Sequence, residues 1–428
     1  MPAILQIALD FLDLPRALAV AEEAIRGGVD WIEAGTPLIK SEGLDSVRRM
    51  KQRWPHRIIV ADLKTMDAGR FEMESAAKAG AGIAGVLGAA SDATISECIE
   101  VAGNYGLKVV VDMIEVRDPV ERARQVEAMG ADYIGIHTAV DQQMQGKAPL
   151  ETLELVRAAV EVPVAVAGGI NSETAADAVN AGADIIIVGG AIIKAADAEA
   201  AARRIRQAMD TGTGISTRLY KRATGADVRS VLEMVSTANI SDAMHRSGDI
   251  SGVTPVFPGL RMAGPAVTVR TCPGDWAKPV EAIDQAGEGD VVVIDAGGVA
   301  PAVWGELATH SSQKRGLAGV VVHGAVRDVS DIRDMRFPVF AGKVTPTAGE
   351  PKGFGETGVP VTISRVRIHP GDWIVGDDDG VVVIPGGRAA EVANRAMDVL
   401  ERENRIRREI EDGSTLSQVA YLQKWEKA

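Results

Sequence analysis

RIIVADLKTMDAGRFEMESAAKAGAGIAGVLG, residues 57–88, changes its periodicity twice. RIIVAD (57–62) is a short continuous apolar run, which suits a strand buried on both faces rather than one exposed on alternate sides. AGRFEMESAAKAG (68–80) is rich in alanine and mixes apolar with charged positions, the composition of a helix lying on a sheet. GIAGVLG (82–88) is apolar again. A strand, a helix and a second strand in this order predict a parallel pair with the helix as its crossover. The first strand nevertheless ends on charge, with Asp62, Lys64 and Asp67 crowding its end. Buried charge is costly unless it is paired, hydrogen-bonded or bound to a metal.

Outward from this unit the same alternation runs from residue 4 to about residue 210. The other apolar runs are LQIALD (5–10), VDWIEAG (29–35), LKVVVDM (107–113), DYIGIH (132–137), VPVAVAGG (162–169) and DIIIVGG (184–190). Helical stretches such as PRALAVAEEAIRGG and PVERARQVEAMGA lie between them. Eight evenly spaced units with nothing left over predict a (β/α)8 barrel at the small end of its size range. A doubly wound open sheet is the competitor, but the glycine fingerprint GxGxxG is absent after the first strand, and even spacing favours closure.

TGTGISTRLYKRATGAD (211–227) breaks the rhythm with glycines, threonines and no long apolar period, as a linker does. The expected organisation is a barrel over 1–210, a linker over 211–224, a second domain over 225–388 and a charged helical tail over 389–428. VLEMVSTANISDAMHRSG reads as a helix of the second domain, and PAVTVRT, DVVVIDAGG, AGVVVHGAV, PVFAGKV and DWIVGDDDGVVVIP read as its strands. No regular helices separate these strands, so a mixed α/β layered domain is expected. The tail, RAAEVANRAMDVLERENRIRREIEDG, is a charged helix with an apolar stripe, expected to dock on a partner surface rather than to act in catalysis.

The 428 residues are 46% hydrophobic and 25% charged, ordinary for a soluble globular protein. A net charge of -13 argues against nucleic-acid and anionic-membrane partners, both of which need a basic face. Cys98 and Cys272 are the two cysteines and stand far apart, which fits neither a disulfide framework nor a structural zinc site. No apolar run approaches the ~20 residues that span a bilayer, and the N-terminal stretch lacks the basic region of a signal peptide. A cytoplasmic location is expected.

Active sites of (β/α)8 barrels lie at the C-terminal ends of the strands. Polar residues collect at those ends: Asp10, Glu33, Asp62 with Lys64, Asp112 and His137. The last two strands end instead in Gly168-Gly169 and Gly189-Gly190, where backbone N–H groups can approach a phosphate. Taken singly, each has a structural reading. Asp67 caps the following helix, Asp10 and Asp112 bond loop amides, Lys64 is solvated, His137 is a satisfied core histidine, and the glycines are turns. Their coincidence at seven of the eight strand ends favours a site. Glu33 and Asp62 are hard oxygen ligands suited to Mg2+, or another divalent cation such as Mn2+, completed by waters and substrate oxygens. Asp62 and Lys64 stand two apart on a strand and so face the same side. With Asp67 they hold a charged lysine ready for an oxyanion, and His137 can move a proton.

DLKTMDAGRFE, with Asp10, Glu33, Asp62, Lys64 and Asp67, resembles the orotidine-5'-monophosphate decarboxylase suprafamily, and within it 3-hexulose-6-phosphate synthase and 3-keto-L-gulonate-6-phosphate decarboxylase. The resemblance covers the first half of the chain. It implies Mg2+ on Glu33 and Asp62, Lys64 against enediolate oxygens, and Asp67 reaching into the site of a second subunit, hence a barrel dimer. In the decarboxylase, arginines follow the histidine of strand six. The segment HTAVDQQMQGKAP (137–149) has Thr138 and Val140 at those places and resembles the H-T-G-x-D-x-Q pattern of the synthase, departing at Ala139. The resemblance therefore implies aldol chemistry joining ribulose 5-phosphate and formaldehyde, with the decarboxylase as the alternative.

In the second domain, Gly305-Glu306-Leu307-Ala308 and GAVRD, which ends in Arg327-Asp328, sit at turns after apolar strands. Arg327 could clamp a carboxylate and Asp328 hold a divalent ion; a surface Arg–Asp pair is the structural reading. The two segments resemble the ribonuclease-regulator-A-like proteins and hydroxy-oxoacid aldolases. That resemblance implies substrate binding by Arg327 and by residues 305–308, a metal on Asp328, a further acid from an adjacent subunit, and a trimer or hexamer. A metal-dependent oxoacid lyase and a non-catalytic binding module both fit, and retention of Arg327, Asp328 and Glu306 favours the lyase.

Overall fold

The computed structural model describes residues 2–422. Their contacts divide the chain into two compact units, Met1–Arg222 with Glu401–Ala428 and Ala223–Leu400.

In the first unit, β1 (Ile4–Leu9), β2 (Trp31–Ala34), β3 (Ile59–Thr65), β4 (Ile83–Leu87), β5 (Lys108–Asp112), β6 (Tyr133–His137), β7 (Val164–Ala167) and β8 (Ile185–Val188) form a closed barrel in sequence order. Every pairing is parallel, and β1 closes on β8. The apolar runs predicted this, because parallel strands under a helical layer have no solvent face to mark with polar residues. Alanines let the helices approach closely: Ala17, Ala21 and Ala24 are the buried face of helix Leu14–Arg26, together with Val20. Side chains of Asp13, Ser91, Asp118 and Asp197 accept hydrogen bonds from the first turns of the helices that follow β1, β4, β5 and β8.

β3 departs from regular geometry at its polar end. Its pairing with β4 passes from Ala61↔Ala84 to Thr65↔Val86, so β3 advances four residues while β4 advances two. The surplus is taken up around Asp62–Lys64, and Lys64 adopts a left-handed φ of 51°. A flat strand would have set Asp62 and Lys64 on one face by alternation alone. A bulge does so instead, at the strain that a non-glycine residue pays in this region.

The second unit is a mixed α/β layer structure. Its sheet comprises β9 (Thr254–Pro255), β10 (Met262–Thr271), β11 (Val291–Asp295), β12 (Ala302–Trp304), β13 (Gly319–Val326), β14 (Val339–Val344), β15 (Gly355–Thr357), β18 (Trp373–Asp377) and β19 (Gly380–Ile384), while β16 (Val361–Ile363) and β17 (Val366–Ile368) form a separate hairpin. The order is β19-β18-β10-β11-β13-β14-β9, with β12 beside β13 and β15 beside β10. The central β10, β11, β13 and β14 are parallel. Val292, Ile294, Val320 and Val322 belong to one core layer, and Val291, Val293, Val321 and Phe340 to the other.

Two sequence expectations change. The run 231–248 is not one helix: Val228–Met234 and Thr237–Ala243 are separated where Ser236 and Asn239 form a capping box, which starts a new helix rather than continuing the old one. The division into linker and tail also shifts. Residues 211–222 and 401–422 group with the barrel, so the end of helix Ala389–Glu411 is docked on its own chain. What holds it there is the pairing of charges on both segments. Glu401 has a fully buried side chain paired with Arg222, and Arg405 is bound by Glu23 and Glu409.

Phe340 is fully buried against the Gly376 backbone, where an added Cβ would meet its ring at 2.7 Å. Phe340→Ala should cost about 3–5 kcal/mol through the cavity it leaves. In hydrogen exchange the amides of Val320–Val322 should then lose protection while those of β1 and β8 keep theirs.

Candidate active site

The polar strand ends of the barrel meet. Lys64 Nζ donates to both carboxylate oxygens of Asp62, at 3.0 Å each, and to Asp112 Oδ2 at 2.9 Å. Asp112 Oδ2 also faces His137 Nδ1 at 3.1 Å, while its Oδ1 accepts from the Ile114 amide at 2.9 Å. Thr36 Oγ1 donates to Asp62 Oδ2 at 2.8 Å. Residues from the ends of β2, β3, β5 and β6 thus form one hydrogen-bonded chain, Thr36–Asp62–Lys64–Asp112–His137. An ionised carboxylate can only accept, so His137 Nδ1 carries the proton and Nε2 keeps its lone pair when the ring is neutral.

Charge explains the order of this chain. Burial alone would lower the Lys64 ammonium, but Asp112 and then Asp62 outweigh it and hold its pKa above the ordinary lysine range. Burial alone would raise the Asp112 carboxyl, yet His137 and then Lys64 bring it down to about 2. Lys64 is therefore a fixed cation and Asp112 a fixed anion at neutral pH. The remaining acids go the other way. Glu33 is buried on β2, held by the Gln6 amide, and pushed well up by burial and by Asp62 and Asp10. Asp10 opens to solvent on one side of the mouth, but the protein packed around its other sides and Asp62 raise it too. An added Cβ on Gly35 would collide with Asp10 Oδ1, so the turn after β2 needs glycine to seat this carboxyl.

Glu33, Asp62 and Asp10 offer oxygen donors alone, the ligand type that a hard divalent cation takes. Among the described residues, no three His, Cys, Asp or Glu side chains stand in a metal-holding group. Mg2+ does not require three, since it binds through one or two carboxylates and keeps waters.

Gly168-Gly169 follow β7 and Gly189-Gly190 follow β8. Gly168 has a φ of 106°, and a Cβ there would lie 2.7 Å from Thr138 O; the loops after β6 and β7 touch only because it is glycine. Lys194 extends towards Gly190, where an added Cβ would meet Nζ at 3.3 Å. Lys194 and Gln6 escape a sequence reading. Lys194 looks like any helix-end lysine, whereas a glutamine inside the apolar run of β1 is the one signal available. Asp67 is exposed and does not cap the next helix, whose N-cap is Ala68 without a side-chain bond. The capping reading of Asp67 is therefore set aside.

In the second unit the two predicted segments also meet. Gly305 caps helix Glu306–Lys314 after β12, and Arg327 N donates to Trp304 O at 3.0 Å. Asp328 Oδ2 accepts from the Glu306 amide at 3.2 Å and lies 3.3 Å from Arg327 Nε. Leu307, 79% exposed, and Ala308 follow in the first turn of that helix. Unforeseen is a His323–Asp295 pair, Nδ1 to Oδ1 at 2.8 Å, between the middle of β13 and the end of β11.

Comparison with known proteins accords with both halves. Residues 3–205 match the family described as Orotidine 5'-phosphate decarboxylase / HUMPS, and residues 237–383 match the Aldolase/RraA family. A 3-hexulose-6-phosphate synthase of Bacillus subtilis is 40% identical over 209 residues, 49% of this chain and 99% of that protein. The crystal structure of 3-hexulose-6-phosphate synthase from Salmonella typhimurium is 41% identical, covers 50% of this chain and all of that one, and superposes with a TM-score of 0.48. The RNA-processing inhibitor RraA from Thermus thermophilis is 30% identical over 35% of this chain and 92% of its own, with a TM-score of 0.33. The barrel is thus an enzyme domain whose relatives are named as synthases. The chain belongs to the orotidine 5'-phosphate decarboxylase / HUMPS family through its barrel, to which an Aldolase/RraA-like domain is fused.

Proposed function

We propose that the barrel catalyses the Mg2+-dependent aldol condensation of ribulose 5-phosphate with formaldehyde to 3-hexulose 6-phosphate, and its reversal. The observation that carries this reading is the Asp62–Lys64–Asp112–His137 chain, supported by synthase relatives at 40% identity. Neutral His137 takes a C1 proton of ribulose 5-phosphate on Nε2, with Asp112 holding the imidazolium that results. The Lys64 ammonium offsets the charge that develops on the enediolate oxygens. The C1 carbanion equivalent attacks the formaldehyde carbon, forming one carbon–carbon bond, and His137 returns the proton to the new alkoxide. Glu33 and Asp62, with Asp10 beside them, would hold a divalent cation, which would supply Lewis-acid charge to the developing enediolate. Backbone amides at Gly168, Gly169, Gly189 and Gly190 hold the phosphate. Thr138 and Val140 offer no cation to a substrate carboxylate, which disfavours the decarboxylase.

Asp67 would complete the mouth of a second copy. Its neighbours Met66 and Phe71 are 53% and 78% exposed, as a barrel dimer contact would leave them. For the second unit we favour a metal-dependent oxoacid lyase, trimeric or hexameric, with Arg327 on the substrate carboxylate, residues 305–308 opposite, and the cation on Asp328. Its support is the meeting of Arg327, Asp328 and the 305–308 turn. The absence of a membrane-crossing helix among the described residues accords with a cytoplasmic enzyme.

Formaldehyde should disappear when the chain is added to ribulose 5-phosphate and Mg2+, and Lys64→Ala should slow this about 100- to 1000-fold. Carbon dioxide release from 3-keto-L-gulonate 6-phosphate, without formaldehyde loss, would refute the assignment. Glu33→Gln removes a crowded carboxyl, so the metal-free melting temperature should rise by about 2–4 °C for each kcal/mol regained. Added Mg2+ should stabilise the wild type but not this variant. For the second unit, the full chain should turn over oxaloacetate or a hydroxy-oxoglutarate, and Arg327→Ala should abolish it. Equal, negligible turnover in both would mark a binding module instead.

A further inference from the structure

Within the barrel unit, two segments distant in sequence converge on the loops that carry the proposed phosphate site. The first is the stretch 213–222. Ile215 N donates to Ser172 O, and Ser172 Oγ donates back to Ile215 O, each at 2.8 Å. Asn171 Nδ2 donates to Tyr220 O at 2.9 Å. Glu173 accepts from the Thr217 amide at 2.8 Å and pairs with Lys221 at 2.7 Å. Asn171, Ser172 and Glu173 follow directly on Gly168-Gly169-Ile170, and Asn171 and Ser172 are both buried.

The second segment is 401–419. Glu401 accepts from the Tyr220 amide and forms a two-pronged pair with Arg222, Nη1 to Oε1 and Nη2 to Oε2 at 3.2 Å each. Arg405 reaches Ala195 O at 3.5 Å, just past Lys194, and grips both oxygens of Glu23 at 2.8 Å. Glu409, bonded to Arg405 at 2.9 Å, also binds Arg16 at 3.0 Å, and Arg16 Nη1 donates to Val419 O at 3.2 Å. Arg16 lies over the Phe11 ring, next to Asp10. The contacts therefore fall after β7, after β8 and after β1. They spare the β3, β5 and β6 ends, where Lys64, Asp112 and His137 stand.

We propose that residues 213–222 and 401–419 act together as a strap that positions the phosphate-binding side of the barrel mouth, with Glu401 and Arg405 as its positioning residues. This rests on the aldol reading of the barrel. The physical basis is the directionality of buried, two-pronged ion pairs, which fix geometry where a solvated lysine would not. A loop that binds an anion through backbone amides needs such fixing, since its donors have no side chains to lock them.

The test compares full-length wild type with Glu401→Gln, which is isosteric, and Arg405→Ala. Arg53→Ala, which breaks an exposed pair with Glu22, is the control. The KM for ribulose 5-phosphate and the inhibition constant of inorganic phosphate should rise together, roughly 10- to 100-fold, in both strap variants. The KM for formaldehyde should stay within about twofold, and the control should match wild type. A loss of melting temperature with unchanged KM and phosphate inhibition would overturn the proposal, as would a fall in kcat alone. Should Arg405→Ala fail to fold, Glu401→Gln carries the same readout. If wild type does not condense the two substrates, the aldol reading fails separately. Calorimetric binding of inorganic phosphate to wild type and Glu401→Gln then decides the strap: weaker binding in the variant upholds it, and equal or absent binding refutes it.

Discussion

Four carboxyl groups, Asp10, Glu33, Asp62 and Asp112, crowd one end of the barrel, and the Lys64 ammonium is bonded directly to two of them. Each carboxylate brought out of water loses hydration that must be replaced by hydrogen bonds or opposite charge. Lys64 gives that replacement to Asp62 and Asp112, whereas burial and then Asp62 raise Glu33 and Asp10 although Lys64 pulls both down. The acids on one side of Lys64 stay short of positive charge, while Asp112 on the other side is fixed as an anion against His137. Placing Lys64 between them is what the bulge in β3 accomplishes, and the left-handed backbone at Lys64 is the strain it exacts.

The second unit uses its conspicuous acid differently. The Asp328 carboxylate accepts from the first amide of helix Glu306–Lys314 and touches the neighbouring guanidinium. One side chain thus satisfies the start of a helix and pairs with the guanidinium beside it. A pairing of this kind holds the 305–308 turn against the end of β13 whether or not a ligand is bound.

Much of this was legible in the sequence. Eight apolar runs predicted closure because a parallel strand buried on both faces has few alternatives, and the strand ends located the mouth because polar residues have no other reason to interrupt such runs. The parts that escaped share a cause. Asp112 looked like one acid among several, and only distance shows it to be the hinge between Lys64 and His137 while it also bonds a loop amide, as its structural reading held. The extra residues of β3 are invisible to a pattern with period two. Glu401 and Arg405 sit in a helix whose charge reads as solvated, since sequence does not reveal which members of a charged stripe find a buried partner. Ser236 was readable in principle, as the first residue of a capping box inside an apparently continuous helix.

The strap makes the barrel discontinuous along the chain: its first part ends at Arg222 and its last begins at Glu401. On the ribosome, where residues emerge at about 5–20 per second, the eight strands are complete long before Glu401 and Arg405 leave the exit tunnel. The nascent barrel must therefore wait for the two residues that pair with Arg222 and Glu23 while the whole of Ala223–Leu400 is synthesised. Completion of the barrel unit is thus tied in time to synthesis of the second unit.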